Sequence, residues 1–240
     1  MSVKDDLEPK LTWLNKTLGL DDKSLSKLAQ KLSAVLGCSI KDNLAPKLLW
    51  LKERLDLDDR SLNKLVKTLP SVLGTSIEDN LEPKLAWLQE RLDVDGRSLS
   101  SLVQRWPSVL GCDIQNNLEP TLAWLQERLS LDDKSLCFAI QRMPSLFGHD
   151  IATNLKPAIK FFEDCVESKA AIQCIANDPR ILGSSLENQL KPRLVQCQEA
   201  SIAVDTGTVK RIAKHTELEW SNSVNFQNNK LPLKEEVRGR

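Results

Sequence analysis

Residues 81–117 read LEPKLAWLQERLDVDGRSLSSLVQRWPSVLGCDIQNN, and this stretch decides the fold because the chain repeats it. Residues 44–80 are identical to it at 23 of 37 positions. When the chain is laid out in rows of 37, three columns hold a proline, an aromatic residue and a glycine. Their members are Pro9, Pro46, Pro83, Pro120 and Pro157, then Trp13, Trp50, Trp87, Trp124 and Phe161, then Gly37, Gly74, Gly111 and Gly148. A fixed period of this length predicts a stack of equivalent units, each of which buries its apolar face against its neighbours.

One repeat carries the signals for two helices and a short turn. Leucines at positions 81, 85, 88 and 92 form the apolar stripe of an amphipathic helix. Pro83 falls in the first turn of that helix, where a missing N–H does little harm. An aspartate in the break at 93–95 suits the N-cap of a second helix, which Pro107 then stops. The segment Pro107–Gly111 predicts a 3₁₀ turn closed by a glycine at positive φ.

These signals predict an all-α fold: an α-solenoid, or superhelix, of about six two-helix-plus-3₁₀ repeats of 37 residues. The repeat array is expected to span residues 1–217, with a polar and partly disordered C-terminal cap and tail at 218–240. The expected repeats lie near 7–43, 44–80, 81–117, 118–154 and 155–189, with a partial one at 190–217.

The repeat has a specific signature: Leu-x-Pro-Lys-Leu-x-Trp-Leu, a Leu-Asp-rich break, then Ser-Leu-x-x-Leu-Val and Pro-Ser-Val-Leu-Gly. This unit closely resembles the repeat of the mitochondrial transcription termination factor (mTERF) family, strongly over residues 7–189 and weakly over 190–217. The resemblance implies a left-handed superhelix whose concave groove binds nucleic acid, usually double-stranded DNA. It also implies a role in organellar transcription, termination, replication or RNA processing, in mitochondria or chloroplasts. Met1 is followed almost directly by the first repeat, so no transit peptide is visible, which counts modestly against an organellar location.

The charge balance weakens the expectation of nucleic-acid binding, because 33 Lys and Arg face 33 Asp and Glu. Rows 81–117, 118–154 and 155–189 carry net charges of −1, −2 and −1, so the centre of the array has no basic excess. A neutral total can nevertheless conceal a basic stripe. On a helical wheel Lys84 and Arg91 project together beside Trp87, and the same trio recurs as Lys47, Trp50 and Arg54.

A second basic column precedes the proline that ends the second helix. We predict that it lines the groove and contacts phosphates; the alternative is a set of ordinary solvated helix faces. The candidate nucleic-acid-binding residues are Lys27, Lys31, Lys64, Lys67, Arg105, Arg142 and Arg180. The tryptophan column is expected to pack in the core between units rather than to stack on bases, because Phe161 takes the same place.

Nothing in the sequence indicates a catalytic site, a metal site or a cofactor. The two histidines stand in unrelated contexts, and no Gly-rich phosphate loop, HExxH or nucleophile motif occurs. The six cysteines include no CxxC pair and are expected to be reduced thiols. No apolar run is long enough for a bilayer, and neither a membrane nor a small-molecule substrate is expected.

Two classes of function therefore remain open for a non-enzymatic repeat protein. One is an mTERF-type regulator that binds double-stranded DNA or RNA, and the other is a scaffold that binds a protein partner on the same solenoid surface. A basic concave stripe would favour the first class, and an acidic or apolar groove the second. The high similarity of the central rows also allows an array expanded by duplication, with little specialisation of its groove.

Overall fold

The computed structural model of the chain describes residues 3–19 and 38–228. Within these ranges every regular element is helical and no strand occurs. Helix pairs alternate with 3₁₀ turns, so the prediction of an all-α solenoid is confirmed. By contacts the chain forms two compact units, Met1–Trp124 with Leu136–Gly148, and Leu125–Ser135 with His149–Arg240.

From residue 38 onward, each described repeat contains a first helix that starts near the proline column, followed by a second helix. The first helices are α1 (Val3–Leu18), α2 (Ala45–Arg54), α4 (Glu82–Arg91), α6 (Glu119–Leu129), α8 (Lys156–Cys165) and α10 (Lys191–Glu199). The second helices are α3 (Asp59–Thr68), α5 (Gly96–Arg105), α7 (Asp133–Arg142), α9 (Ser168–Asn177) and α11 (Thr206–Lys214). The 3₁₀ turns are Pro70–Gly74, Pro107–Gly111, Pro144–Gly148 and Pro179–Gly183. The helix α12 (Glu217–Asn228) follows the last pair.

A wide π turn leads into each first helix from α2 onward, and the sequence analysis did not foresee it. The turns are Ile40–Leu44, Ile77–Leu81, Ile114–Leu118, Ile151–Leu155 and Leu186–Leu190. Each is capped by a serine or aspartate whose side chain accepts a hydrogen bond from the N–H three residues on, as Asp113 does from Asn116 at 2.7 Å. The recurring Ser/Asp-x-x-Asp/Asn/Thr pattern before each proline is the signal that would have located these turns.

Aspartates cap four of the five described second helices, as predicted for the break at 93–95, and α9 is the exception because Glu167 precedes it without a side-chain cap. The Asp95 carboxylate accepts from the Ser98 N–H at 2.8 Å, and the same bond recurs one repeat earlier and later at Asp58 and Asp132. The break also contains a backbone reversal, because Asp93 has a φ of +47°. Glycine is the residue that most often takes the left-handed conformation at a helix end. Because an aspartate stands there in this chain, the sequence does not indicate the left-handed conformation.

The glycine column serves close packing rather than positive φ, which corrects the expectation for Gly111. Neither Gly111 nor Gly148 has a positive φ. A Cβ on Gly148 would lie 2.8 Å from Cζ2 of Trp106, and one on Gly111 would lie 3.4 Å from Cδ1 of Leu69. The residue that ends one second helix therefore packs on the glycine of the next 3₁₀ turn, and a side chain on that glycine would occupy the space of its neighbour.

Polar side chains join successive repeats inside the apolar core. The Ser100 hydroxyl, on α5, donates to the carbonyl of Leu55 at the end of α2. One row earlier the Asn63 amide donates in the same way to the carbonyl of Leu18. Each bond satisfies a carbonyl that the end of a first helix leaves without an intrahelical partner.

The expected C-terminal cap begins with a helix. Residues 218–228 lie in α12, whose Trp220 is buried, donates from Nε1 to Gln196 and lies 5.3 Å from the Arg193 guanidinium. Gln196 stands in the aromatic column, so Trp220 supplies from α12 the ring that this row lacks. Residues 229–240 of the predicted tail lie outside the described residues.

Candidate nucleic-acid interface

The charges of the array are divided between its two sets of helices. Among the described residues the five second helices contain two acids, Asp59 and Asp133, against eleven basic residues. The basic residues are Arg60, Lys64, Lys67, Arg97, Arg105, Lys134, Arg142, Lys169, Lys210, Arg211 and Lys214. The capping aspartates lie at the N-terminal ends of these helices, whereas Lys67, Arg105, Arg142 and Lys214 lie in the last turns. The second helices are therefore basic along their length and at their C-terminal ends.

The first helices differ, because acids nearly balance their basic residues. From α2 to α10 they contain ten Lys and Arg and eight Asp and Glu. Three of these cations, Lys47, Lys84 and Arg193, are buried. Arg54 and Arg91 pair with Glu82 and Glu119 of the following repeat at 2.9 and 3.0 Å. The basic charge available to a ligand thus lies mainly on the second helices.

A hollow on α3 collects part of this charge. Lys64 and Lys67 line it together with Arg60, and both lysines are exposed. No described residue forms an ion pair with either lysine. Gln104 and Pro107 of the next repeat close the other side of the hollow. Among the predicted site residues that the structure describes, these two lysines have the cationic groups most available to an anionic ligand.

Arg105 and Arg142 stand in the predicted column but make contacts of their own. The Arg105 guanidinium donates to the carbonyls of Gln141 and Arg142, the latter at 2.7 Å, and so caps the C-terminus of α7. The Arg142 guanidinium lies 5.1 Å from the ring of Phe138, which is 45% exposed. An exposed ring beside a guanidinium offers a surface on which a base can stack. Arg105 therefore has a structural role, while Arg142 and Phe138 remain open to solvent.

Arg180 is engaged in an ion cluster rather than presented alone. Its guanidinium bonds both carboxylate oxygens of Asp178, at 2.7 and 3.0 Å, and Lys214 of α11 binds the same carboxylate at 2.6 Å. Asp178 is buried and takes the column position that half-buried Leu69 and Trp106 and buried Met143 hold in earlier rows. The two remaining predicted residues, Lys27 and Lys31, lie outside the described residues.

Lys47 and Lys84, the lysines that stand beside the tryptophan column, are structural, which corrects the stripe read from the helical wheel. Lys84 is 4% exposed, and its Nζ donates to the carbonyl of Leu110 at 2.7 Å and to Oδ1 of Asn80 at 3.1 Å. Lys47 repeats this arrangement on the carbonyl of Leu73 at 2.6 Å. Burial lowers the pKa of both lysines. The ammonium groups therefore bind the last carbonyls of the 3₁₀ turns and cannot contact a phosphate.

The tryptophan column also differs from the expectation of a core position. Phe161 is buried, but Trp50, Trp87 and Trp124 are half-buried and keep part of their rings at the surface. All six cysteines lie in the described ranges and none is in a disulfide, as predicted.

We expect Asp178→Asn to lower the free energy of unfolding by about 1–2 kcal/mol at pH 7, because a buried acceptor of three charge-assisted bonds becomes neutral. The side chains of Arg180 and Lys214 are 46% and 39% exposed, so water solvates the cations left behind. These two groups hold the pKa of Asp178 far below its ordinary range.

The effect of this substitution is expected to depend on pH. Because the folded-state pKa is depressed, the carboxylate stabilises the fold above the unfolded pKa of about 3.9, and this contribution is lost as the pH falls below that value. Urea unfolding of both proteins between pH 7 and pH 3 measures this. We expect the difference in the free energy of unfolding to become smaller towards pH 3, and to be lost completely only below the depressed folded-state pKa. A difference that is constant over this range would contradict the ion cluster.

Comparison with known proteins agrees with the fold. Repeated helix pairs joined by 3₁₀ turns define a helical-repeat protein of the solenoid class. The mTERF family model matches residues 11–172, and the chain belongs to the mTERF family. A search of curated protein sequences finds no match to the chain.

Two further findings concern the described part of the chain. None of its helices has both the length and the apolar character needed to cross a membrane. Its histidine, cysteine, aspartate and glutamate side chains form no group of three placed to hold a metal ion.

Proposed function

We propose that this mTERF-family protein is a non-enzymatic regulator that binds double-stranded DNA or RNA through phosphate contacts of its second helices, in the concave groove of the repeat array. By the same family relationship we propose a role in transcription or its termination in mitochondria or chloroplasts. The observation that carries this proposal is the charge of the five described second helices, which contain eleven basic residues and two acidic ones.

This separation removes the objection raised by a net charge of zero. Phosphate contacts supply most of the nonspecific affinity for nucleic acid, and they act within about 10 Å at ordinary ionic strength. A local basic surface therefore attracts a duplex even when acids elsewhere balance the total. Three acids that adjoin the second helices cap their N-termini. The carboxylates of Asp58, Asp95 and Asp132 accept hydrogen bonds from backbone N–H groups there.

The hollow on α3 is the part of this surface that we expect to contact phosphates most directly. Lys64 and Lys67 are long, exposed cations on a concave surface, with Arg60 beside them. Lysine binds phosphate as a point charge and does not need a fixed orientation. In contrast, reversing the charge of Arg105 would also remove the cap on α7, so its effect on binding would be confounded with a loss of stability.

The test is the salt dependence of binding to a labelled double-stranded DNA and a labelled single-stranded RNA, from about 50 to 200 mM salt. We expect a steep loss of affinity for at least one of them. The double variant Lys64→Glu/Lys67→Glu should weaken binding and make the log–log slope shallower by about 2, since each phosphate contact contributes about 0.9.

A matched control separates this site from a general effect of charge. Lys41→Glu/Lys156→Glu makes the same change in net charge at two exposed residues, one in a π turn and one at the start of α8. We expect the control to keep the wild-type slope. If both double variants weaken binding equally, or if the wild type binds neither nucleic acid at low salt, the proposed interface is wrong. In the latter case the array would be a scaffold for a protein partner.

A further inference from the structure

Two matching hollows lie along the first helices of the unit that contains residues 1–124. One is lined by Pro46, Trp50, Ile77, Pro83 and Ala86. The other is lined by the equivalent residues one repeat later, Pro83, Trp87, Ile114, Pro120 and Ala123. Pro83 lines both, so the two hollows are adjacent, and each is walled by the tryptophan of one repeat and the proline of the next.

The apolar lining of these hollows is open to solvent. Pro46, Pro83 and Pro120 are exposed, as are Ala86 and Ala123, and the tryptophans are half-buried. Leu49, which is 56% exposed, holds the column position of Ala86 one repeat earlier. Exposed prolines and alanines and half-buried tryptophan rings thus repeat in register. Together they form a larger apolar surface than the scattered apolar residues of an ordinary protein surface.

The polar rim of the hollows is acidic. Glu78 and Glu82 line the first hollow, and Asp79, Asp113 and Glu119 line the second. The Lys84 ammonium of the second hollow is turned onto the Leu110 carbonyl. Glu82 and Glu119 are held in place by Arg54 and Arg91. This rim repels a phosphate backbone and complements a cationic side chain, which a tryptophan face also attracts.

The spacing of the hollows fits an extended chain. The Arg54–Glu82 ion pair joins the successive first helices α2 and α4. Helices in contact typically lie about 8–10 Å apart, and we take one such step as the distance between the two hollows. A polyproline II segment rises about 3.1 Å per residue, so residues three apart are separated by about 9 Å and project from the same side. Aromatic-lined grooves select this conformation because it is already ordered before binding.

We propose that this first-helix face, defined by Trp50, Trp87 and the prolines around them, binds a proline-rich segment of a partner protein that carries arginine or lysine at every third position. The segment lies across the hollows in the polyproline II conformation, with one cation over each tryptophan and beside its acidic rim. This surface is separate from the second-helix surface and does not depend on nucleic-acid binding.

The probe is a fluorescein-labelled peptide of four Pro-Pro-Arg triplets, measured by fluorescence anisotropy with the full chain. Two control peptides replace the arginines with glutamate or the prolines with Gly-Ser. We expect the Pro-Pro-Arg peptide to bind, to change the tryptophan fluorescence, and to bind at least about fivefold more tightly than either control.

One substitution blocks the hollow without touching the core. Ala86→Lys places a cation in the first hollow from an exposed position, and Ser101→Lys places the same charge on an exposed position of α5 as the control. We expect Ala86→Lys to weaken peptide binding at least about tenfold and Ser101→Lys to leave it unchanged, with equal melting temperatures for both variants.

Four results would overturn the proposal. The first is absence of peptide binding by the wild type. The second is equal binding of the Pro-Pro-Arg and Gly-Ser-Arg peptides, which would reduce the interaction to charge alone. The third is an unchanged peptide affinity in Ala86→Lys. The fourth is displacement of the peptide by a DNA duplex whose own binding is lost in Ala86→Lys, which would assign the face to nucleic acid.

Discussion

Lys84→Ala is expected to lower the free energy of unfolding by about 3 kcal/mol, although lysine is ordinarily a surface residue. The substitution removes a buried aliphatic stem and leaves the Leu110 carbonyl and the Asn80 amide oxygen without the donor that now lies 2.7 and 3.1 Å away. A buried acceptor without a partner costs about 1–3 kcal/mol by itself. Urea denaturation at pH 7 measures the loss.

The matched control for this prediction is Lys52→Ala, on the first helix of the preceding repeat. Lys52 is exposed and its ammonium pairs with Asp59 at 2.6 Å on the surface. Such pairs contribute about 0–1 kcal/mol, so we expect Lys52→Ala to be nearly neutral. A loss at Lys84 no larger than that at Lys52 would contradict the role of the buried ammonium.

Lys84→Met separates the packing of the stem from the charge. It keeps most of the stem, and we expect an intermediate loss of about 1–2 kcal/mol at pH 7. Burial lowers the pKa of Lys84 in the folded chain, whereas in the unfolded chain this lysine has the ordinary pKa of about 10.4. As the pH rises towards about 10.4, the folded chain therefore loses this proton before the unfolded chain does. The wild type should therefore gain stability relative to Lys84→Met as the pH rises above neutral. A difference that does not change with pH would rule out a desolvated ammonium at this position.

Gly148→Ala is the second substitution with a large expected effect, about 2 kcal/mol of destabilisation from the addition of one methyl group. Its Cβ would lie 2.8 Å from Cζ2 of Trp106, which is closer than two carbon atoms pack. The indole cannot move away easily, because it stacks at 5.9 Å on Phe147, a fully buried ring. Thermal or urea unfolding measures the loss.

Two other glycines provide graded controls for Gly148→Ala. At Gly111 the new Cβ meets only the flexible Leu69 side chain at 3.4 Å, and at Gly96 it meets nothing within 4 Å. We expect a small loss at Gly111 and no loss, or a slight gain from helix propensity, at Gly96. The double variant Trp106→Leu/Gly148→Ala places a flexible leucine against the new methyl group, which is the arrangement that Gly111→Ala makes with Leu69 one repeat earlier. We expect its loss of stability to be about 1–2 kcal/mol smaller than the sum of the losses in the two single variants. Strictly additive losses would show that the side chains at positions 106 and 148 do not contact each other.

The fold was predictable because its signals are local and are repeated along the chain. Pro107 and Asp95 mark a helix end and a helix start through their own backbone chemistry, and the structure has both where the sequence predicts them. Asp93 was not recognised as a left-handed residue, since its side chain carries no signal that distinguishes it from a cap.

The site was less predictable because it depends on contacts between rows. In the sequence Lys84 and Arg105 are both simply cations on helices. In the structure Lys84 is buried and donates to the carbonyl of Leu110, 26 residues later. Arg105 instead caps a helix by donating to carbonyls 36 and 37 residues later. A helical wheel shows which residues share a face and not what covers that face. Among the predicted site residues that the structure describes, Lys64 and Lys67 are exposed and form no ion pair with another described residue.

The bonds between repeats also determine how the chain can fold. In the unit that contains α2 to α5, the polar contacts that join one repeat to the next link residues only 26 to 45 positions apart: Lys84 with Leu110, Arg54 with Glu82, and Ser100 with Leu55. Closing such short loops costs little entropy, and each closed pair presents the same unsatisfied carbonyls and arginines to the next. Ordering can therefore start at any complete pair of repeats and spread in both directions, and folding in this unit does not have to wait for distant parts of the chain to meet.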